Sequence, residues 1–95
     1  MKHYIIVKWL DDEIDKEALI PSIERLFQKT LNISGIHKVE VIPNCIRRDN
    51  RYDLMIILHM DEEALPVYDA SDAHKEWKER YGNMIKSKAI FDSRE

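Results

Sequence analysis

Residues 52–60 read YDLMIILHM and contain the longest uninterrupted apolar run of the chain, from Leu54 to Leu58. A run of this length is typical of a strand that packs on both faces. Side chains alternate between the two faces of a strand. The two faces of this strand then carry different apolar side chains: Leu54, Ile56 and Leu58 on one, Met55 and Ile57 on the other.

Patterns on either side of this strand predict three further strands and two helical regions. The predicted order is a strand over 3–10, a helix with apolar residues at helical spacing over 19–31, a strand over 36–42, the strand over 52–60, a broken helical region over 61–85 and a short strand over 88–92. This order is the split βαβ pattern of ferredoxin-like folds. The sequence therefore predicts an α+β, ferredoxin-like βαββαβ fold, with a four-stranded antiparallel sheet and both helices on one face.

The ends of the helices are marked by Pro, Gly and capping residues. Pro21 either lies in the first turn of the first helix or kinks a helix that begins near Glu13. Gly35 is predicted to be a turn or C-terminal cap residue. Asp61 and Ser71 are the predicted N-caps of the two pieces of the second helical region.

Length and composition exclude several classes of protein. The chain has 95 residues, 35% of them charged, a net charge of −3 and a single cysteine, Cys45. These values favour one domain over residues 1–95 and argue against a disordered chain, an internal disulfide framework and a membrane helix. The acidic balance argues against nucleic acid as a partner, and no close spacing of ligands indicates a metal site or another cofactor. With no leader-like segment before the first strand, a cytoplasmic protein is the expectation.

Both faces of the predicted sheet are apolar. In the first strand, His3, Ile5, Val7 and Trp9 face one way, and Tyr4, Ile6 and Leu10 face the other. Two helices cover one face of a sheet, and large exposed apolar patches are uncommon on monomers. The sequence therefore predicts a homodimer in which two sheets pack face to face. A monomer with an unusually apolar surface is the alternative.

The space between sheet and helices is predicted to hold a pocket or a filled core. Apolar walls with one or two polar groups are typical of a small-molecule site. The side chains expected at this site are His3, Ile5, Val7, Ile23, Phe27, Leu54, Ile56, Trp77, Tyr81 and Ile90. The same set also suits an ordinary core, because a large cavity would destabilise so short a chain.

Four motifs together resemble one known family. They are Lys2-His3-Tyr4-Ile5-Ile6-Val7-Lys8, Arg51-Tyr52-Asp53-Leu54, the Tyr68-x5-His74 spacing and Ile90-Phe91-Asp92. In order and spacing they resemble the stress-responsive dimeric α/β-barrel (Dabb) family over nearly the whole chain. The resemblance implies a ferredoxin-like fold whose chains pair by their sheets into a barrel.

The resemblance also implies a function, since the family includes a plant polyketide cyclase that performs an aldol condensation. Its catalytic tyrosine and histidine match Tyr68 and His74, and its first-strand pocket histidine matches His3. Leu54 stands where that cyclase has another pocket histidine, and Ser71-Asp72 replaces the His-Pro of many members. The implied function is binding of a small apolar carbonyl or aromatic ligand, with lyase or cyclase chemistry as the catalytic form of that role.

Tyr68 and His74 have the chemistry that enolisation or aldol closure requires. An imidazole can accept a proton near pH 7, and a phenol can polarise a carbonyl by donating its hydroxyl. The structural alternative is that the two side chains bond to each other or to the backbone and hold the helix break together. A non-catalytic stress or assembly homodimer is then the competing function. A heme-degrading or quinone monooxygenase is less favoured, because the sequence lacks a matching Asn, Trp and His set.

The remaining polar features are predicted to be structural or solvated. Arg47, Arg48 and Arg51 form one basic cluster, which is a solvated loop or, alternatively, an anion-binding lip. His59 lies on the face predicted to form the dimer interface, and His37 is expected to face solvent.

Overall fold

Four antiparallel strands form one sheet in the computed structural model, which describes residues 1–11 and 13–95. The elements are β1 (Lys2–Trp9), α1 (Lys16–Gln28), β2 (Ile36–Pro43), β3 (Leu54–Met60), α2 (Leu65–Asp69), α3 (Asp72–Tyr81) and β4 (Ile85–Ser93), with short 3₁₀ segments at 29–32, 62–64 and 82–84. The strand order is β2-β3-β1-β4, and every pairing is antiparallel. The predicted ferredoxin-like fold is confirmed. Within the described residues, no helix is long and apolar enough to cross a membrane.

The strand ends differ from the predicted ones: β1 ends at Trp9, before Leu10, β3 begins at Leu54, after the predicted start at Tyr52, and β4 is longer than predicted. β4 begins three residues before the predicted strand and ends one residue after it, at Ser93. The reason is its pairing with β1, which runs from Lys2↔Ser93 to Trp9↔Ile85 and passes a bulge at Lys8/Trp9. Backbone hydrogen bonds with β1 therefore extend β4 beyond the apolar segment from which the strand was inferred.

The helix ends confirm two of the predicted caps and correct one. Ser71 caps α3 by accepting a hydrogen bond from the His74 N–H, and Gly35 adopts a φ of +94° in the turn before β2. Pro21 lies inside α1, which begins at Lys16, between the two starts that the sequence allowed. Asp61 precedes a 3₁₀ turn and makes no side-chain capping bond. Its carboxylate pairs with His37 Nε2 at 3.0 Å instead.

The two faces of the sheet differ as the alternation predicts. The helices and the facing side of the sheet bury a single core: Ile5, Val7, Trp9, Ile23, Leu26, Phe27, Leu54, Ile56, Leu58, Trp77 and Tyr81. The strand registers place another apolar set on the opposite side, termed the open face: Tyr4, Ile6, Ile42, Met55, Ile57, Ala89 and Phe91. Phe91 is 61% exposed there, and its ring packs edge-on against Tyr4 at 6.0 Å. The open face therefore holds apolar surface that no helix covers.

The Asp53 carboxylate joins β1, α1 and the entry to β3. It accepts hydrogen bonds from the Trp9 N–H at 2.8 Å and from Lys16 Nζ at 2.9 Å. Burial favours the neutral acid, but these two hydrogen bonds and the charges of Lys16 and Lys8 together outweigh burial and hold the pKa of Asp53 below its ordinary value of 3.8. The carboxylate form is thus favoured more strongly in the folded chain than in the unfolded one.

Asp53→Ala is expected to lower the free energy of unfolding by about 2 kcal/mol at pH 7, because two charge-assisted hydrogen bonds are lost. The stabilisation from Asp53 is present above the unfolded pKa and is lost as the pH falls through the lower folded pKa. Urea unfolding between neutral and acidic pH measures both effects. The variant should show a smaller acid loss than the wild type, whereas Asp49→Ala, in the neighbouring exposed loop, should behave as the wild type. Equal acid losses in all three proteins would contradict this role of Asp53.

Candidate functional site

A cavity of about 260 Å³ opens where the break between α2 and α3 faces β1 and β4. Its lining combines four aromatic or imidazole rings from these elements with a polar rim. The lining residues are His3, Ile5, Leu65, Tyr68, Asp69, His74, Trp77, Lys88, Ile90 and Asp92. The cavity brings Tyr68, His74 and His3 together, although they lie on three separate elements.

Tyr68 is the central side chain of this cavity. Its residue is 1% exposed, and its hydroxyl is buried without a hydrogen-bond partner among the described residues. Burial raises the pKa of the Tyr68 hydroxyl well above its usual value, and the charge of Asp69 adds to the effect. The hydroxyl is therefore a neutral donor over the ordinary pH range. An unpaired buried hydroxyl costs about 1–3 kcal/mol, a cost that an accepting oxygen in the cavity would remove.

His74 lies in the first turn of α3, and its ring packs against Tyr68 with the centroids 5.0 Å apart. Its Nδ1 lies 2.8 Å from the Asp69 carbonyl oxygen. Because a carbonyl oxygen only accepts hydrogen bonds, Nδ1 carries the hydrogen. In the neutral ring Nε2 is then the nitrogen that can accept a proton.

Ser71 positions both residues through the backbone. Its hydroxyl donates to the Tyr68 carbonyl at 2.7 Å and accepts from the His74 N–H at 3.2 Å. These two hydrogen bonds join the end of α2 to the start of α3 through the Ser71 side chain. They hold the Tyr68 and His74 rings side by side.

His3 completes the cavity from β1. It is buried, and its ring meets Tyr68 edge-on at 5.6 Å. Its Nδ1 donates to the Asp92 carboxylate at 2.5 Å. A carboxylate on one ring nitrogen fixes the tautomer and the orientation of an imidazole. Tyr68 therefore lies between two imidazoles, each held at Nδ1 by an oxygen acceptor.

Ser71→Ala is expected to lower the free energy of unfolding by about 1 kcal/mol, as the loss of an N-cap does. It should also perturb the hydrogen bond from His74 Nδ1 to the Asp69 carbonyl, because the Ser71 cap fixes the first turn of α3, which carries His74. Urea unfolding measures the first effect, and the Nδ1–H resonance of His74 in an NMR spectrum measures the second. Ser71→Thr keeps the hydroxyl and should restore both. An unchanged His74 resonance in Ser71→Ala would contradict the positioning role.

The predicted site residues divide into two groups. Among the predicted ligand-binding residues, His3, Ile5, Trp77 and Ile90 line the cavity, as do Tyr68 and His74. The other predicted wall residues, Val7, Ile23, Phe27, Leu54, Ile56 and Tyr81, are buried in the packed core and lie outside the cavity lining. Close packing of side chains such as Phe27 against Trp77, with ring centroids 5.2 Å apart, fills the space that a larger pocket would need.

Four lining residues lie outside the predicted set: Leu65, Asp69, Lys88 and Asp92. Asp92 faces His3 because the β1–β4 register pairs these two positions directly. Lys88 shares the same face of β4 and also lines the cavity. Alternation along the strand places Lys88 and Asp92 on the same face as Ile90. Which residues of β1 lie opposite them depends on the strand register, which the sequence pattern does not specify. Within residues 1–11 and 13–95, no three His, Cys, Asp or Glu side chains are grouped as metal ligands.

Comparison with known proteins adds structural relatives. No family model and no curated protein matches the sequence. A dimeric protein of unknown function with a ferredoxin-like fold from Bacteroides fragilis superimposes with a TM-score of 0.78 at 20% identity, over 97% of this chain and 92% of that one. A dimeric ferredoxin-like protein of unknown function from Jannaschia sp. gives a TM-score of 0.78 at 13% identity, over 99% and 97%. A Dabb family protein with a ferredoxin-like fold from Mesorhizobium loti gives 0.65 at 13% identity, over 99% and 94%. At these identities the likeness shows the ferredoxin-like fold.

Proposed function

We propose that residues 1–95 form a Dabb domain that binds a small carbonyl or aromatic ligand in the cavity beside Tyr68 and His74. The observation that carries the proposal is the buried Tyr68 hydroxyl, which has no partner among the described residues. A carbonyl or carboxyl oxygen of a ligand is the acceptor that this donor lacks. Pockets for drug-sized ligands have volumes of about 300–1,000 Å³, so the cavity of about 260 Å³ suits a smaller ligand, such as one aromatic ring or a short acyl chain.

The catalytic form of this proposal is enolisation followed by lyase or cyclase chemistry. His74 Nε2 takes the proton from the carbon next to the ligand carbonyl, and the electron pair of that C–H bond becomes the enolate. Tyr68 donates a hydrogen bond to the oxygen on which negative charge develops. The His3–Asp92 pair lies on the other side of Tyr68 and orients a second imidazole toward the ligand.

The functional unit in this proposal is a homodimer that pairs by its open faces. The exposed Phe91 and the neighbouring apolar residues of the open face support it, because exposed apolar patches of this kind mark interaction sites. The Bacteroides and Jannaschia proteins, which share the fold, are described as dimeric. The half-buried His59–Glu40 pair, 2.6 Å apart, lies on the same face and would be enclosed by the partner.

A non-catalytic homodimer that acts in a stress response or in assembly is the second candidate. The observation that favours it is the packed core, which fills most of the space between sheet and helices, where the sequence allows either a larger pocket or a filled core. In that case the Tyr68–His74 contact holds the helix break, and the open face performs the function.

A ligand screen separates the two candidates. Thermal unfolding is followed with a panel of β-keto acids and aromatic acids, and the compounds that stabilise the chain are tested for turnover. His74→Ala should abolish any turnover, whereas His37→Ala, whose side chain is 62% exposed on β2, should leave it unchanged. Turnover that survives in both His74→Ala and Tyr68→Phe would refute the catalytic form. The absence of any stabilising compound would favour the non-catalytic homodimer.

A further inference from the structure

A second and larger cleft lies at the opposite end of β1 from His3. Its volume is about 610 Å³, and it forms where the end of β1, the start of α1, the loop over residues 44–53 and the start of β4 meet. Its cationic lining residues come from all four of these segments: Lys8, Lys16, Arg47, Arg48, Arg51 and Lys86. The sequence places three of these cations in one cluster, and the fold adds three lysines to it.

The cleft is positive in a chain that is negative overall. Among residues 1–11 and 13–95, its lining contains six cationic and four acidic side chains, whereas the whole chain has a net charge of −3. Two of the acids already have bonds, since Asp53 accepts from Lys16 and Asp15 caps α1 through the Ala18 N–H. The contact between Arg47 and Glu17, at 3.6 Å, joins two exposed side chains and is weak.

Several of the cations have no carboxylate partner. Lys8 Nζ donates to the main-chain carbonyls of Asp49 and Arg51, which holds the loop against β1. Arg51 donates to the side-chain oxygen of Asn50. Among the described residues, Arg48 and Lys86 make neither an ion pair nor a side-chain hydrogen bond. The cleft thus holds cationic groups that are free to bind an external anion.

We propose that this cleft binds a small multivalent anion, such as an organic phosphate or a polycarboxylate. Guanidinium groups bind both chemistries through paired hydrogen bonds, and the lysines add point charges. Trp9, Leu10, Ile14 and Ile46 provide apolar surface in the same lining for the body of such a ligand. A small ligand is favoured over a nucleic acid because the positive surface is confined to one concave cleft of an acidic chain, without the extended basic stripe that a nucleic-acid backbone requires.

Isothermal titration calorimetry of the full chain at low salt tests this site, with inorganic pyrophosphate and citrate as probes. Saturable binding of either probe is expected, and the tighter probe assigns the site to phosphates or to polycarboxylates. The combined Arg48→Ala and Lys86→Ala variant should weaken binding by about tenfold or more. The combined Lys75→Ala and Lys78→Ala variant removes two exposed charges of α3 outside the cleft and should bind as the wild type.

Three results would overturn the proposal. They are no saturable binding of either probe at roughly 10 mM, equal weakening in both double variants, and tighter binding of a single-stranded RNA oligonucleotide than of either probe. Tyr68→Phe should bind pyrophosphate or citrate as the wild type does. A failure of the anion-binding proposal for this cleft can therefore be distinguished from a failure of the ligand-binding proposal for the Tyr68 cavity.

Discussion

Tyr68→Phe is expected to raise the free energy of unfolding by roughly 1 kcal/mol and to weaken binding of a carbonyl ligand by about ten- to hundredfold. The two effects have opposite signs because the Tyr68 hydroxyl is buried and has no partner in the part of the chain that the structure describes. In the free protein, its removal relieves a desolvation cost. In the complex, its removal takes away the donor that the ligand oxygen needs.

Urea unfolding and ligand titration of the same variant measure the two effects. Tyr81→Phe is the matched control, because Tyr81 is also buried, at 3% exposure, but its hydroxyl bonds to Ser22 Oγ at 2.6 Å. That variant should lose about 1 kcal/mol of stability and keep its ligand affinity. A Tyr68→Phe variant that is destabilised as much as Tyr81→Phe, with unchanged ligand binding, would show that the Tyr68 hydroxyl is structural.

Phe91→Glu is expected to convert the proposed homodimer to a folded monomer. In a two-fold interface the substitution occurs twice, and each copy buries a carboxylate against apolar surface. Dimer affinity should fall by roughly a hundredfold or more. The fold should survive because Phe91 is 61% exposed on β4 and lies outside the core.

Sedimentation velocity over a range of protein concentrations measures this change, with circular dichroism as the test of folding. Val67→Glu is the control, because Val67 is 55% exposed and lies on α2, on the side of the sheet opposite the open face. It should remain dimeric. A wild-type chain that is monomeric at micromolar concentration, or a Phe91→Glu chain that dimerises as the wild type does, would refute the proposed interface.

The order of the elements and the two faces of the sheet could be predicted because they depend on local patterns. The run from Leu54 to Leu58 and the spacing of Ile23, Leu26 and Phe27 each match one periodicity closely. The Ser71 cap could also be predicted, because the residue type and the start of the helix agree. Asp61 has the same residue type and position as a helix cap, but its carboxylate contacts His37 instead.

The shape of the candidate site could be predicted only in part, because it depends on register and on volume. Tyr68 and His74 are close in sequence, so one helix break brings them together. The His3–Asp92 bond requires the β1–β4 register, which residue patterns do not specify. The extent of the cavity depends on how completely rings such as Phe27 and Trp77 fill the space between sheet and helices.

The basic cleft illustrates the same limit. Arg47, Arg48 and Arg51 are neighbours in sequence and could be identified as one cluster. Lys8 and Lys86 lie on different strands and join them only through the sheet. The whole chain has a negative net charge, so that value does not reveal a local excess of positive charge such as this cleft.

The most direct test of the proposed function is a crystal structure of the chain with the panel compound that stabilises it most. An oxygen of that compound is expected about 2.6–3.0 Å from the Tyr68 hydroxyl, with His74 Nε2 directed at the same ligand. A structure in which the compound binds elsewhere, while the Tyr68 hydroxyl bonds to a protein group, would contradict it.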